Sequence, residues 1–278
     1  MSPTDPRHVD RGTDRLALRL YPSPAPTAPV AVVLPAMGAA GRFYRPLAES
    51  LHAAGFAVVV ADLRGTGDST PRAGRSARYG YADLADDIGA VLDELKADYA
   101  DRRIVLVGHS LGGQLGLLHL ATTPGAPVDG IVLVAAAIPY WRSYPRHPLA
   151  VRASTQLIGA IATVLRVWPG WSFGGRQARQ VMTDWAWSAR TGQFPGVADD
   201  AVAKLGTPVL AISIDDDSYT PHETVDHTVG KLRDAPVRRE RIARVEAEGR
   251  PAHFAWVRAP EPVTTLIRDW FGTLPGHR

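Results

Sequence analysis

The chain has 278 residues, 45% hydrophobic and 21% charged, a balance that builds a core and excludes a disordered chain. It has no cysteine, which excludes disulfides, thiolate metal sites and a cysteine nucleophile. The net charge of +3 comes from scattered arginines, with lysine only at 96, 204 and 231, so no polyanion site and no nucleic-acid partner are expected.

Met1 to Asp14 lacks the apolar stretch of about 7–15 residues that a secretory signal needs. No uncharged apolar run of about 18 residues is present to cross a membrane. The expectation is a soluble, cytoplasmic protein with no membrane partner. Asp14 to Leu20 reads as an outer strand, joined through the Pro-rich loop Pro22 to Pro29 to the apolar run Val30 to Leu34. Similar runs follow at Ala57 to Ala61, Arg103 to Val107, Gly130 to Val134 and Pro208 to Ile212. They are continuous rather than alternating, as strands covered on both faces are.

Between them, Tyr44 to Ala54, Tyr81 to Leu95 and Leu111 to Ala121 have helical spacing. Strand and helix in alternation predict an α/β fold, a doubly wound, mostly parallel sheet. Pro236 to Val245 could add an outer strand, and Ala259 to Phe271 a closing helix. From Ile138 to about Gly196 the alternation stops, and five of the seven tryptophans crowd in. We read residues 1–137 and 197–278 as the core and 138–196 as a helical cap inserted after the sixth strand, over the edge where such sheets place ligands. Trp141 and Trp185 of this segment are candidate substrate contacts.

The stretch Gly108-His109-Ser110-Leu111-Gly112 sits where a strand run meets a helical run. A serine hydroxyl is a nucleophile only when a base takes its proton. A G-x-S-x-G turn exposes it at the head of the sheet, with glycines where any Cβ would collide. The base should follow an acid in the chain. Of nine histidines, His253 stands in a loop between the last strand and the last helix and is the best candidate. The acid should follow the strand ending near Ile214, where Asp215, Asp216 and Asp217 compete. Asp217 is favoured, four residues before Pro221, with Asp216 next. The N–H of Leu111 and, from the loop after the first central strand, the N–H of Met37 are the expected oxyanion donors. His109, beside the nucleophile, either packs or touches substrate, and Phe254 adjoins the base. His222-Glu223-Thr224-Val225-Asp226-His227 is a decoy: its histidines are five apart, so they share no helix face, and no metal is expected. In Arg64-Gly65-Thr66-Gly67-Asp68-Ser69 the spacing fits no phosphate loop, and Asp62 and Arg64 should brace the neighbouring loop.

Together, Leu34 to Gly38 with Arg42 to Ala48, Ala61 to Ser69, the elbow, Asp215 to Pro221, Ala252 to Trp256 and Val181 to Gly192 resemble the α/β-hydrolase fold. More narrowly they resemble bacterial predicted α/β hydrolases, from about Asp14 to Phe271. The resemblance implies a Ser110, Asp217 and His253 triad acting on an ester or related acyl bond of a small-molecule substrate, without cofactor. It departs from many relatives at Pro35-Ala36, where a His-Gly pair is common. Acyl transfer or thioester cleavage by the same triad, and a silent ligand-binding protein, are the alternatives. A homodimer is possible on the sequence.

Overall fold

The computed structural model describes residues 6–23, 25–171, 173–247 and 249–275. Eight strands form one sheet: β1 (Arg7–Arg11), β2 (Asp14–Tyr21), β3 (Val30–Leu34), β4 (Ala57–Ala61), β5 (Ile104–His109), β6 (Gly130–Val134), β9 (Val209–Ile214) and β10 (Val237–Ile242). A separate two-stranded piece pairs β7 (Val167–Trp168) with β8 (Gln177–Ala178). The order across the large sheet is β1-β2-β4-β3-β5-β6-β9-β10, parallel from β4 onward, with β1 and β2 antiparallel at one edge.

The alternation of buried residues along each strand divides the core in two. Val30, Val32, Leu34, Leu106, Ile131 and Leu133 face helices α2 (Tyr81–Leu95) and α3 (Leu111–Thr122). Ala31, Val33, Val105, Val107, Val132 and Ile212 face α1 (Arg45–Ala53) and α9 (Glu261–Thr273). Both faces being covered explains why these strands read as unbroken valine and isoleucine runs. Strand β1 was not foreseen: its sequence is polar and only Val9 is buried, as at a solvated sheet edge.

The chain passes from β3 to β4 on one side and then to β5 on the other, so the strand order reverses between β3 and β5. Ligands of open α/β sheets sit outside the carboxyl ends of the strands at such a point. Over that edge lies the segment between β6 and β9, which carries α4 (Pro148–Leu165), β7, β8, α5 (Arg179–Thr191) and the short α6 (Asp199–Ala203). Helix α4 is long and apolar enough by composition to cross a membrane, with Arg152 in its second turn. Val151, Ser154, Thr155 and Ile158 on its inner face line a cavity. After β9 come α7 (His222–Val229), which carries the histidine decoy, then β10 and the short α8 (Ala252–Ala255).

Candidate active site

Ser110 stands between β5 and α3 with φ 51° and ψ −117°. A side-chain-bearing residue holds such a backbone only where its surroundings enforce it. Here the enforcement is close packing: a Cβ on Gly112 would strike the Leu34 carbonyl oxygen. The glycine therefore lets α3 start directly against β3. Ser110 is consequently half-buried and opens on the cavity, while its own N–H bonds to the Val134 carbonyl at 3.1 Å.

His253 is the second residue of α8 and is buried. Its Nδ1 lies 2.7 Å from Asp217 Oδ2 and 3.1 Å from Thr220 Oγ1. The Thr220 hydroxyl donates to the Ala135 carbonyl at 3.0 Å, so its oxygen is free to accept. Both neighbours of Nδ1 are thus acceptors, which places the ring proton on Nδ1 and leaves the Nε2 lone pair unprotonated. Asp217 is buried too, and its Oδ1 accepts the N–H groups of Tyr219 at 2.8 Å and Thr220 at 3.1 Å. This carboxylate is held at both oxygens.

The competing carboxylates are turned elsewhere. Asp216 adopts φ 59° and is exposed, and that left-handed residue swings Asp217 inward. Asp215 pairs with Arg241 and His222, and the Arg241 guanidinium holds its carboxyl below the usual range.

The cavity, about 550 Å³, is lined by Ser110 and His253 together with Met37, Phe173, Trp185 and Phe254. Trp185 and Phe254 therefore stand where substrate contact was expected, and Phe173 packs on Trp185 with ring centroids 4.9 Å apart. Met37 lies three residues beyond β3, and Leu111 is the first residue of α3, whose N–H has no partner within the helix. A helix N-terminus beside Ser110 favours negative charge there.

Two expected contacts are placed elsewhere. His109 lies at the end of β5 and points behind the site, buried against His253 (centroids 4.7 Å) and Trp256 (5.2 Å). Successive side chains of a strand alternate, so beside Ser110, which opens on the cavity, this one turns into the fold. Its Nδ1 meets Tyr44 Oη at 2.7 Å, and that hydroxyl accepts the Ala36 N–H at 2.8 Å. His109 thereby supports the loop that carries Met37. Burial, with His253 beside it, pushes the His109 pKa well below its ordinary value. The His109 ring stays neutral beside His253.

Trp141 also lies outside the cavity. It sits in a helical turn after β6 with the guanidiniums of Arg142 and Arg152 each 5.0 Å from its ring. Tyr144 from the same stretch lines the cavity instead, its hydroxyl donating to the Tyr219 carbonyl at 2.8 Å. Thr220, which the sequence reading missed, was signalled only by its place in the Asp217 to Pro221 stretch.

Asp62 and Arg64 do brace the neighbouring loops. Buried Asp62 binds Arg19 at 2.9 Å and accepts the Gly41 N–H, and Arg64 pairs with Asp14 and Asp87. No group of three or more histidine, cysteine or acidic side chains is placed to hold a metal among the described residues.

An elbow serine, a buried acid–histidine pair and a cavity at the reversal of a mostly parallel sheet define the α/β-hydrolase superfamily, and this chain is a member. Within it the chain belongs to the Hydrolase_4 family, described as serine aminopeptidase, S33, whose family model matches residues 25–193. These likenesses place the chain in the α/β-hydrolase class of hydrolases. The AB hydrolase superfamily protein YisY of Bacillus subtilis is 36% identical over 99 residues, 35% of this chain and about a third (34%) of that relative's length. The putative carbamate hydrolase RutD of Serratia proteamaculans is 29% identical over 213 residues, 71% of this chain and 76% of the relative. Among solved structures, a soluble variant of monoglyceride lipase from Saccharomyces cerevisiae matches with a TM-score of 0.70 at 16% identity, over 96% of this chain and 95% of the other. That last likeness concerns the fold alone.

Proposed function

We propose that the chain is a serine hydrolase that cleaves a carboxylic ester, or a related acyl bond, of a small or medium-sized apolar substrate. The observation that carries this reading is the buried His253–Asp217 contact of 2.7 Å facing the same cavity as the strained Ser110. In the proposed mechanism His253 Nε2 takes the Ser110 proton as Oγ attacks the acyl carbon. The Leu111 and Met37 N–H groups receive the oxyanion, and loss of one such donor typically costs about 10²–10³ in turnover. Asp217 keeps the imidazole in its working tautomer and stabilises the imidazolium without taking the proton. His253 then protonates the departing group, and water releases the acid by the reverse sequence. The chemistry calls on no metal or organic cofactor.

In this reading residues 138–196 act as a cap, with Phe173 and Trp185 forming an apolar wall for the acyl part. The likeness to RutD makes a carbamate carbonyl one of the related acyl bonds to test.

The test is the intact mass after exposure to a fluorophosphonate. The wild type should gain one adduct, Ser110→Ala none, and His253→Ala should react far more slowly. A folded wild type that gains no adduct would overturn the reading in favour of a ligand-binding protein. Product analysis with an added acceptor alcohol then separates hydrolysis from acyl transfer.

A further inference from the structure

A second hollow of about 640 Å³ adjoins the first and shares Met37, Gly174, Gly175 and Phe254 with it. The seam between them is a close backbone approach: Gly38, at φ 73°, lies so near Gly174 that a Cβ would overlap it. Arg42, Arg250 and Arg258 also line the second hollow, and among the described residues no carboxylate does. The Arg250 and Arg258 guanidinium carbons lie 5.4 and 6.0 Å from the centroid of one ring, Phe43. Phe43 in turn packs edge-on against Phe254 at 6.1 Å, and Phe254 against the His253 ring at 4.9 Å.

Several arginines of this chain are matched with acids, Arg19 with Asp62 and Asp68, Arg64 with Asp14 and Asp87, Arg241 with Asp215. Among the described residues, Arg42, Arg250 and Arg258 have neither an ion pair nor a side-chain hydrogen bond. Each guanidinium offers five N–H donors in a fork suited to phosphate or carboxylate. Two cations gathered at one aromatic ring repel each other, and an anion between them would turn that repulsion into attraction.

We propose that this hollow is an anion subsite for the leaving group. The substrates would be acyl esters or thioesters whose departing alcohol or thiol carries a phosphate or carboxylate. The inference rests on the serine hydrolase reading and adds the substrate class. Phe254 and Met37 wall both hollows, so the acyl chain lies against Phe173 and Trp185 while the leaving group extends past Phe254 toward the arginines. As the Ser110 Oγ–acyl bond forms, the acyl C–O or C–S bond breaks. The Ser110 proton passes through His253 Nε2 to the departing oxygen or sulfur. Water then attacks the acyl-serine, restores the Ser110 hydroxyl and leaves the carboxylic acid.

Three butyryl thioesters test this: butyryl-pantetheine (uncharged), S-butyryl-3-mercaptopropionate (a carboxylate) and butyryl-coenzyme A (phosphates). The wild type should favour at least one charged thioester over the uncharged one by about tenfold or more in kcat/KM, and added salt should shrink that preference. Which charged substrate wins identifies the anion. In Arg42→Gln/Arg258→Gln the preference should fall to about twofold, while Arg42→Lys/Arg258→Lys, which keeps the charge, should retain part of it. Arg250→Gln gives an independent reading should the double variant fold poorly. Turnover of all three at equal kcat/KM, or a preference unchanged in the glutamine variants, overturns the subsite and leaves the hydrolase reading intact. No turnover of any of them together with no fluorophosphonate adduct overturns both.

Discussion

Replacing Asp217 by asparagine should disable the base without disturbing the fold. The reason lies in the two backbone N–H groups, of Tyr219 and Thr220, that point at Asp217 Oδ1. An asparagine amide must put its oxygen there, because its NH₂ would face two donors. Its NH₂ then points at His253 Nδ1, which must become an acceptor, so the ring proton moves to Nε2 and the base has no lone pair to offer. Recovering the working tautomer requires turning the amide and orphaning both backbone donors, at about 1–3 kcal/mol each. The total of about 2–6 kcal/mol corresponds to a loss of roughly 30-fold to 10⁴-fold, at 1.4 kcal/mol per factor of ten. Loss of the carboxylate charge beside the imidazolium pushes toward the upper end, near the ~10⁴-fold known for tautomer inversion in a Ser-His-Asp site. The assay is the second-order rate of fluorophosphonate labelling beside turnover of a chromogenic butyrate ester, with circular dichroism as the folding check. Asp216→Asn, at an exposed position, should change either rate by less than about threefold. An Asp217→Asn protein that keeps more than a tenth of wild-type activity would refute the argument.

Ser110→Gly should be inactive yet more stable than Ser110→Ala by about 1 kcal/mol, roughly 2 °C in Tm, because glycine alone relaxes the backbone at φ 51°. Equal melting temperatures would show that the turn is unstrained. Tyr44→Phe removes the hydroxyl shared by the Ala36 N–H and His109, at an expected cost of about 1–3 kcal/mol, and shifts the loop before Met37. Chemical denaturation should show that loss, and the ester assay a fall in kcat larger than any rise in KM. His109 has a native pKa well below its unfolded value near 6.5, so the unfolded chain takes up a proton that the native protein refuses. Its contribution is intact above about pH 6.5 and is lost progressively as pH falls toward the native pKa. His109→Gln should therefore lose less stability than the wild type between pH 7.5 and pH 5; an unchanged pH slope would contradict the assignment.

The central strands and the elbow were legible because their signals are local: runs of valine and isoleucine mark strands covered on both faces, and the glycines around Ser110 mark a turn with no room for side chains. The acid was legible only to within a few residues, since the choice between Asp216 and Asp217 depends on which one takes the left-handed conformation, and both are aspartate. His109 was read from its adjacency to Ser110 and Trp141 from its place in the tryptophan-rich segment, whereas strand alternation turns one into the core and a short helical turn sets the other against arginines. Thr220 and Tyr44 act through hydrogen bonds to residues 33 and 65 positions away, a distance no spacing rule reaches. The same holds for Arg250 and Arg258, which only the folded chain brings to the ring of Phe43, beside its neighbour Arg42.

The direct pairing of β6 with β9 has an evolutionary consequence. The chain leaves the sheet and returns to it at neighbouring strands, so everything between them hangs from two adjacent anchor points. That segment can be lengthened, shortened or exchanged as a cassette without changing strand order or separating Ser110 from Asp217 and His253. Selection can thus redraw the cavity walls that this segment supplies while Ser110, Asp217 and His253 stay on the inherited scaffold, and the same boundaries are the natural cut sites for exchanging those walls.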